Sequence, residues 1–245
     1  MSSSVNPMHQ FELKNFVNIE FFGHNFSITN GTIVLCFTFL LSLLFAFLLK
    51  RSNKLIPSRG QSALEMSLLT IRNIVSSALG EVGKRYVPFV FSIFLFVLLL
   101  NLIGLIPGTF AQTSHISITF ALAMILFFLC VVITIAKRGL FGFIKSFLPA
   151  GTPWWLAPLM FVLEIFSYLV RPVSLSVRLA ANMIAGHVML DVIAFFVIMM
   201  GVFGVLPFTF LSVLMAFELF VAFLQAYIFS IFACVYLNEA CGKGH

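Results

Sequence analysis

An all-α polytopic membrane protein is predicted by three features of the chain. Of 245 residues, 61% are hydrophobic and only 9% charged, where a soluble domain carries roughly a quarter charged. The apolar residues, 32 phenylalanines among them, come in long unbroken blocks, whereas the strands of a transmembrane barrel alternate apolar and polar positions. Hydrocarbon offers backbone groups no partner, so blocks of this kind must close their hydrogen bonds within a helix. The third feature is a pair of overlong blocks at the C-terminal end. About five crossing helices, one amphipathic surface helix and a long, strongly tilted final hairpin are expected, in one membrane domain over 1–245.

The N-terminal segment, 1–31, is polar and shows no basic-then-apolar pattern, so no cleaved leader is evident; the charge bias described below places it outside the membrane. The first span is 32–49, just enough to cross a core of about 30 Å, and it is closed by Lys50 and Arg51. Over 61–84, Leu64, Leu68, Ile71, Val75, Leu79 and Val82 recur at three- and four-residue steps among charged and polar positions. That pattern predicts an amphipathic helix lying on the membrane surface.

A helical hairpin over 87–136 comes next, with spans Val87–Ile106 and Ile116–Ala136 joined across Pro107 and Gly108 and closed by Lys137 and Arg138. Trp154 and Trp155 read as an interfacial anchor. From Leu156 to Leu206 no conventional polar loop occurs. A continuous helix there would run roughly 75 Å, so the segment is either broken near Pro172 or steeply tilted. A turn at Leu206–Pro207 leads to a second overlong helix, Phe208–Leu237, and 154–239 is the expected tilted hairpin.

The net charge of +6 does not point to nucleic acid, because the basic residues flank apolar blocks rather than cluster on a soluble domain. They orient the chain instead. Placing 50–85 inside gathers seven of the fourteen basic residues, from Lys50 to Arg85, and leaves only Lys14 on the external N-terminal segment. Five crossings then put the N-terminus outside and the C-terminus inside. Cys36, Cys130, Cys234 and Cys241 show no CxxC spacing and read as small apolar packers.

The final hairpin carries the buried polar groups. Glu164, Arg171 and Arg178 recur every seven residues and share one stripe with Ser174 and Asn182. His187 and Asp191 lie about half a turn away from Arg178 and nearer the outer end. The returning helix brings Glu218 to the depth of His187 and Asp191, and Gln225 to that of Arg178. An arginine at mid-bilayer costs several kcal/mol and cannot be deprotonated. Histidine and carboxylates, by contrast, exchange protons near ambient pH. The layout suits a proton path: Asp191, His187 and Glu218 form an outer half, Glu164 belongs to an inner half, and Arg178 is an electrostatic barrier between them. Plainer structural roles stand beside this. Arg171 can snorkel to the inner surface, Asp191 can be interfacial, Asn182, Gln225 and His187 can bridge helices, and Gly186 can simply permit close packing.

The run Pro172-Val-Ser-Leu-Ser-Val-Arg-Leu-Ala-Ala-Asn-Met-Ile-Ala-Gly-His187, followed by Phe217-Glu-Leu-Phe-Val-Ala-Phe-Leu-Gln-Ala-Tyr-Ile-Phe229, closely resembles subunit a of F-type ATP synthases. Asn6–Phe11, Asn101–Pro107 and Thr113–Ile116 extend the resemblance along the chain. It implies that the two tilted helices wrap a rotor ring of c subunits, helical hairpins with a buried carboxylate. It also implies that Arg178 faces each passing ring carboxylate with Asn182 and Gln225 as polar neighbours. His187 and Glu218 would line the outer half-channel and Glu164 the inner one. The order of His187 and Glu218 resembles the mitochondrial and alphaproteobacterial version, and Asp191 matches less firmly. Peripheral-stalk b-type subunits, the bilayer and protons are the other partners implied. The expected membrane is the mitochondrial inner or bacterial plasma membrane, and no cofactor or metal is expected.

Rival readings are a self-contained ion-coupled secondary transporter, an intramembrane metal hydrolase and an inert assembly anchor. Transporters of that kind carry internal repeats, and none is evident between the halves. No HExxH occurs and the five histidines are scattered. An inert anchor would leave Arg178 without a purpose.

Overall fold

The computed structural model describes residues 15–21, 24–51, 59–106, 112–148 and 153–241. The Pro107–Gly108 breaker and the Asn6–Phe11 run lie outside these residues. A two-stranded antiparallel hairpin opens the described chain, β1 (Asn15–Phe21) pairing with β2 (His24–Thr29). It occupies the segment expected outside the membrane. All the rest is helical: α1 (Asn30–Arg51), α2 (Arg59–Leu79), α3 (Val87–Gly104), α4 (Ile116–Ser146), α5 (Ala157–Met199) and α6 (Val205–Cys241).

Four helical segments among the described residues are long and apolar enough to cross a membrane: Gly83–Gly104, Ile116–Ile144, Ala157–Met199 and Val205–Glu239. The apolar part of α1, Gly31–Phe47, is shorter. Within α2 the apolar stripe turns inward, with Ile71, Val75 and Leu79 buried while Arg72, Asn73, Ser76 and Ser77 stay exposed. A 3₁₀ segment, Gly80–Tyr86, links α2 to α3. There Lys84 donates to Glu81 at 2.5 Å, and this bond together with the ammonium charge holds the Glu81 carboxyl below the usual carboxylate range.

Three boundaries differ from the sequence expectation. The third span does not stop at Ala136: α4 runs on to Ser146, kinked at Gly139 (φ 72°, ψ 169°). Next, α5 passes through Pro172 unbroken for 43 residues, about 65 Å. The proline removes one backbone donor but does not end the helix. Finally, the reversal sits at Met200–Gly204 rather than at Leu206–Pro207. Gly201 takes a φ of 53° there, a left-handed conformation open to a residue without Cβ. Pro207 falls in the first turn of α6, where its missing N–H would have no partner in any case.

The chain divides into two compact units. One comprises Met1–Phe45, Leu95–Thr119 and Arg178–Ala226, the other Ala46–Phe94, Phe120–Val177 and Tyr227–His245. In the first, Leu102, Leu105, Met183 and Ala222 pack together, next to a notable set of buried polar residues that includes Asn101, His187 and Gln225. In the second, Phe127, Cys130, Phe147, Tyr168 and Tyr236 form the core.

Burial is uneven among the spans. In α3, 44% of the most apolar window is buried by the chain itself, but in α5 and α6 only 11%. The two longest helices therefore leave most of their apolar surface for lipid or another protein.

Candidate functional site

In each unit α5 and α6 bring polar side chains together. In the first, Asn182 and Gly186 follow one another at a four-residue step on α5, so both face the same way. A Cβ at Gly186 would overlap Oε1 of Glu218 and stand 2.7 Å from its Cδ. The carboxyl of α6 thus occupies the space that a side chain at 186 would fill, and glycine is what lets it approach. Beside it lies a cavity of about 230 Å³ whose polar lining is Asn101, Asn182, Glu218 and Gln225, among Leu, Met, Phe, Val and Ala side chains. Glu218 and Gln225 are seven residues apart on α6, so both reach this space from one face. Such a volume admits several waters, and its polar groups offer them partners.

His187 is buried and does not line this cavity. One residue beyond Gly186, it turns about 100° around the helix. Its ring is hydrogen-bonded to the backbone of Gly104 on α3, and Asp191 one turn further along α5 lies within electrostatic reach. Arg178 is exposed, and among the described residues no ion pair or hydrogen bond engages it.

In the second unit, Arg171 Nη1 donates to Glu239 Oε1 at 2.7 Å. Its guanidinium also lies over two aromatic rings, 5.9 Å from the Tyr168 centroid and 6.0 Å from that of Tyr236. These rings pack edge-on with centroids 5.1 Å apart, and Phe147 and Phe127 close around Tyr168 at 5.3 and 5.2 Å. Glu164, on the Arg171 stripe of α5, lies within electrostatic reach of both members of the pair. Ser174, one turn before Arg178, is exposed.

A protein-family model described as ATP synthase A chain matches residues 32–238. The chain belongs to this family. It is the subunit a, a membrane-embedded multi-pass component of the F-type ATP synthase that translocates protons and is not itself catalytic. Its partners are the c-ring and the rest of that complex, and the self-contained transporter reading is not favoured.

Within this subunit a, the cavity of the first unit brings together three residues singled out in the sequence, Asn182, Glu218 and Gln225, and leaves His187 and Asp191 on another side of α5. Arg171 is salt-bridged to Glu239 on α6, so its direct partner is not Glu164. Two polar residues escaped the sequence reading. Glu239 does so because the apolar pattern ends at Leu237, whereas α6 runs to Cys241. An antiparallel hairpin returns that end of α6 to the half of α5 that carries Arg171, and this was the signal available. Asn101 lies in the Asn101–Pro107 run, but its approach to α6 depends on helix packing that spacing alone does not specify.

Proposed function

We propose that Arg178 is the electrostatic gate of this subunit a, facing the ring carboxylates, with Asn182, Gln225 and Ser174 as its polar surroundings. The outer half-channel is carried by His187 and Glu218 with Asp191 beside them, and the inner half-channel by Glu164 together with the Arg171–Glu239 pair. A proton from outside passes along the outer group and neutralises a ring carboxylate, which then tolerates lipid. After nearly a full turn of the ring it is released to the inner group. Arg178 favours the ionised ring carboxylate and, bearing a permanent charge, cannot relay a proton across. The driving force is about 2.3 kcal/mol per charge per 100 mV, plus the pH gradient.

The observation that carries this reading is the contrast between the two arginines. Arg171 has its counter-charge at 2.7 Å, while Arg178 is exposed on α5 and has none among the described residues. A cation held in an apolar helix without an internal partner calls for an anion from another chain. The finer assignments rest on the residue order and charge bias. The His187-then-Glu218 order supports the mitochondrial or alphaproteobacterial type, hence the mitochondrial inner or bacterial plasma membrane. The basic residues between Lys50 and Lys145 support an outside N-terminus and inside C-terminus. Peripheral-stalk b-type subunits are the expected additional neighbours.

The test is replacement of Arg178 by Gln or Ala in the assembled, reconstituted complex. ATP-driven proton pumping is expected to be abolished while assembly persists. Normal coupled pumping in either variant would overturn the assignment.

A further inference from the structure

Among the described residues, Glu218 is the single titratable side chain lining the cavity of the first unit; the other polar lining residues, Asn101, Asn182 and Gln225, are neutral amides. Of these, Asn101 comes from a different helix, α3, and is 1% exposed. Its Nδ2 donates to the carbonyl oxygen of Ala222 at 3.4 Å. Ala222 lies one turn beyond Glu218 on α6, so this bond ties α3 to the turn of α6 that bears the carboxyl.

The bond also fixes which end of the amide is free. Only the NH₂ group can donate to a carbonyl, so the remaining atom, Oδ1, is an acceptor and nothing else. Oδ1 is buried and has no hydrogen-bond partner among the described residues. A buried acceptor left unmet is costly, and native structures meet such groups with a donor or an ordered water. Glu218 Oε2 and Gln225 Oε1, from residues lining the same cavity, are likewise buried without a partner among the described residues. Of these three, the Asn101 and Glu218 oxygens come from different helices, and like-signed oxygens repel each other while the carboxyl is ionised. Once it is protonated they can share a hydrogen bond, directly or through a water. Around this pair, His187 is engaged with the Gly104 backbone and with Asp191 on α5. No charged side chain of α3 or α5 lines the cavity.

From this geometry we infer that Asn101 is a positioning residue for proton transfer at Glu218, presenting Oδ1 as a fixed acceptor that favours the protonated carboxyl. The inference rests on the reading that Glu218 carries protons in the outer half-channel. Asn101 itself neither gains nor loses a proton. It holds the α6 turn through Nδ2, and through Oδ1 it sets the pH at which Glu218 loads.

The experiment measures passive proton flux through the reconstituted membrane sector as a function of pH, with Asn101→Leu, Asn101→Asp and a Glu218→Gln control. Removing the acceptor with Asn101→Leu is expected to move the midpoint of the flux profile down by about one pH unit, the size of one ordinary hydrogen bond. Asn101→Asp, nearly isosteric, places a second carboxylate against the first and is expected to move the midpoint up. A purely structural role would instead lower flux by one factor at every pH in both variants. Unshifted midpoints in both variants, with Glu218→Gln still blocking flux, would overturn the inference alone. Undiminished flux in Glu218→Gln would overturn the reading beneath it. Should Asn101→Leu fail to assemble, Asn101→Asp decides by itself: an upward shift supports the inference and an unchanged midpoint overturns it.

Discussion

Arg171 and Glu239 face each other at 2.7 Å across the two longest helices, the guanidinium of α5 seated over the Tyr168 and Tyr236 rings. Both side chains are about two-thirds covered. Breaking a covered pair from one side leaves a charge with nothing opposite it, which costs more than the pair itself contributes. Arg171→Leu or Glu239→Gln alone is expected to lower stability by about 2 kcal/mol, read as easier heat- or detergent-induced release of subunit a from the complex. The reversed pair, Arg171→Glu with Glu239→Arg, should recover much of that loss. Equal stability of the single variants and the parent would show that the contact carries no weight.

Gly186 offers a steric test. Adding one methyl in Gly186→Ala forces the Glu218 carboxyl out of its place, an overpacking of about 1–3 kcal/mol. Proton flux through the membrane sector should fall severalfold. Combining it with Glu218→Asp, which withdraws the carboxyl by one methylene, should restore part of the flux. No loss with the alanine variant would mean that the approach of α6 to this point is dispensable.

For the outer group, each single change His187→Glu and Glu218→His is expected to cut ATP-driven pumping at least tenfold, roughly the contribution of one positioned proton carrier. The double exchange should pump better than either single variant. If both single changes were silent, the outer path would have to run elsewhere.

At the surface, the Glu81–Lys84 pair gives a pH prediction of opposite scale. The Glu81 carboxyl is held below its ordinary range, so its contribution is present at neutral pH and is lost as pH falls through that lowered folded value. Both side chains are exposed, and such pairs contribute little and are screened by salt. Glu81→Gln should therefore leave the thermal stability of the complex unchanged at pH 7 in ordinary salt. A measurable loss would indicate a partner for Glu81 in the assembled complex.

Much of the helical plan was readable because each element announces itself locally. Apolar length marks the spans, the three-and-four spacing of Ile71, Val75 and Leu79 marks the buried face of α2, and seven-residue recurrence puts Glu164, Arg171 and Arg178 on one stripe. Ends were less readable. Pro207 looked like a turn, yet the reversal is made by Gly201, because a proline in the first helical turn breaks no bond. Gly139 kinks α4 without ending it. At the site, the one-helix relations were legible and the partner across the gap often was not. Neither the Arg171–Glu239 bridge nor the contact of Asn101 with Ala222 follows from periodicity, since both depend on which helix packs where.

The solitary state of Arg178 has a consequence for biogenesis. In a chain inserted in the bilayer before meeting its rotor, Arg178 has no counter-ion among the described residues, at a cost of several kcal/mol if it lies at mid-membrane. Arg171, already matched by Glu239, adds no such burden. Part of the energetic reward for joining the complex therefore falls on this side chain, which leaves the unassembled chain the less stable species in the membrane.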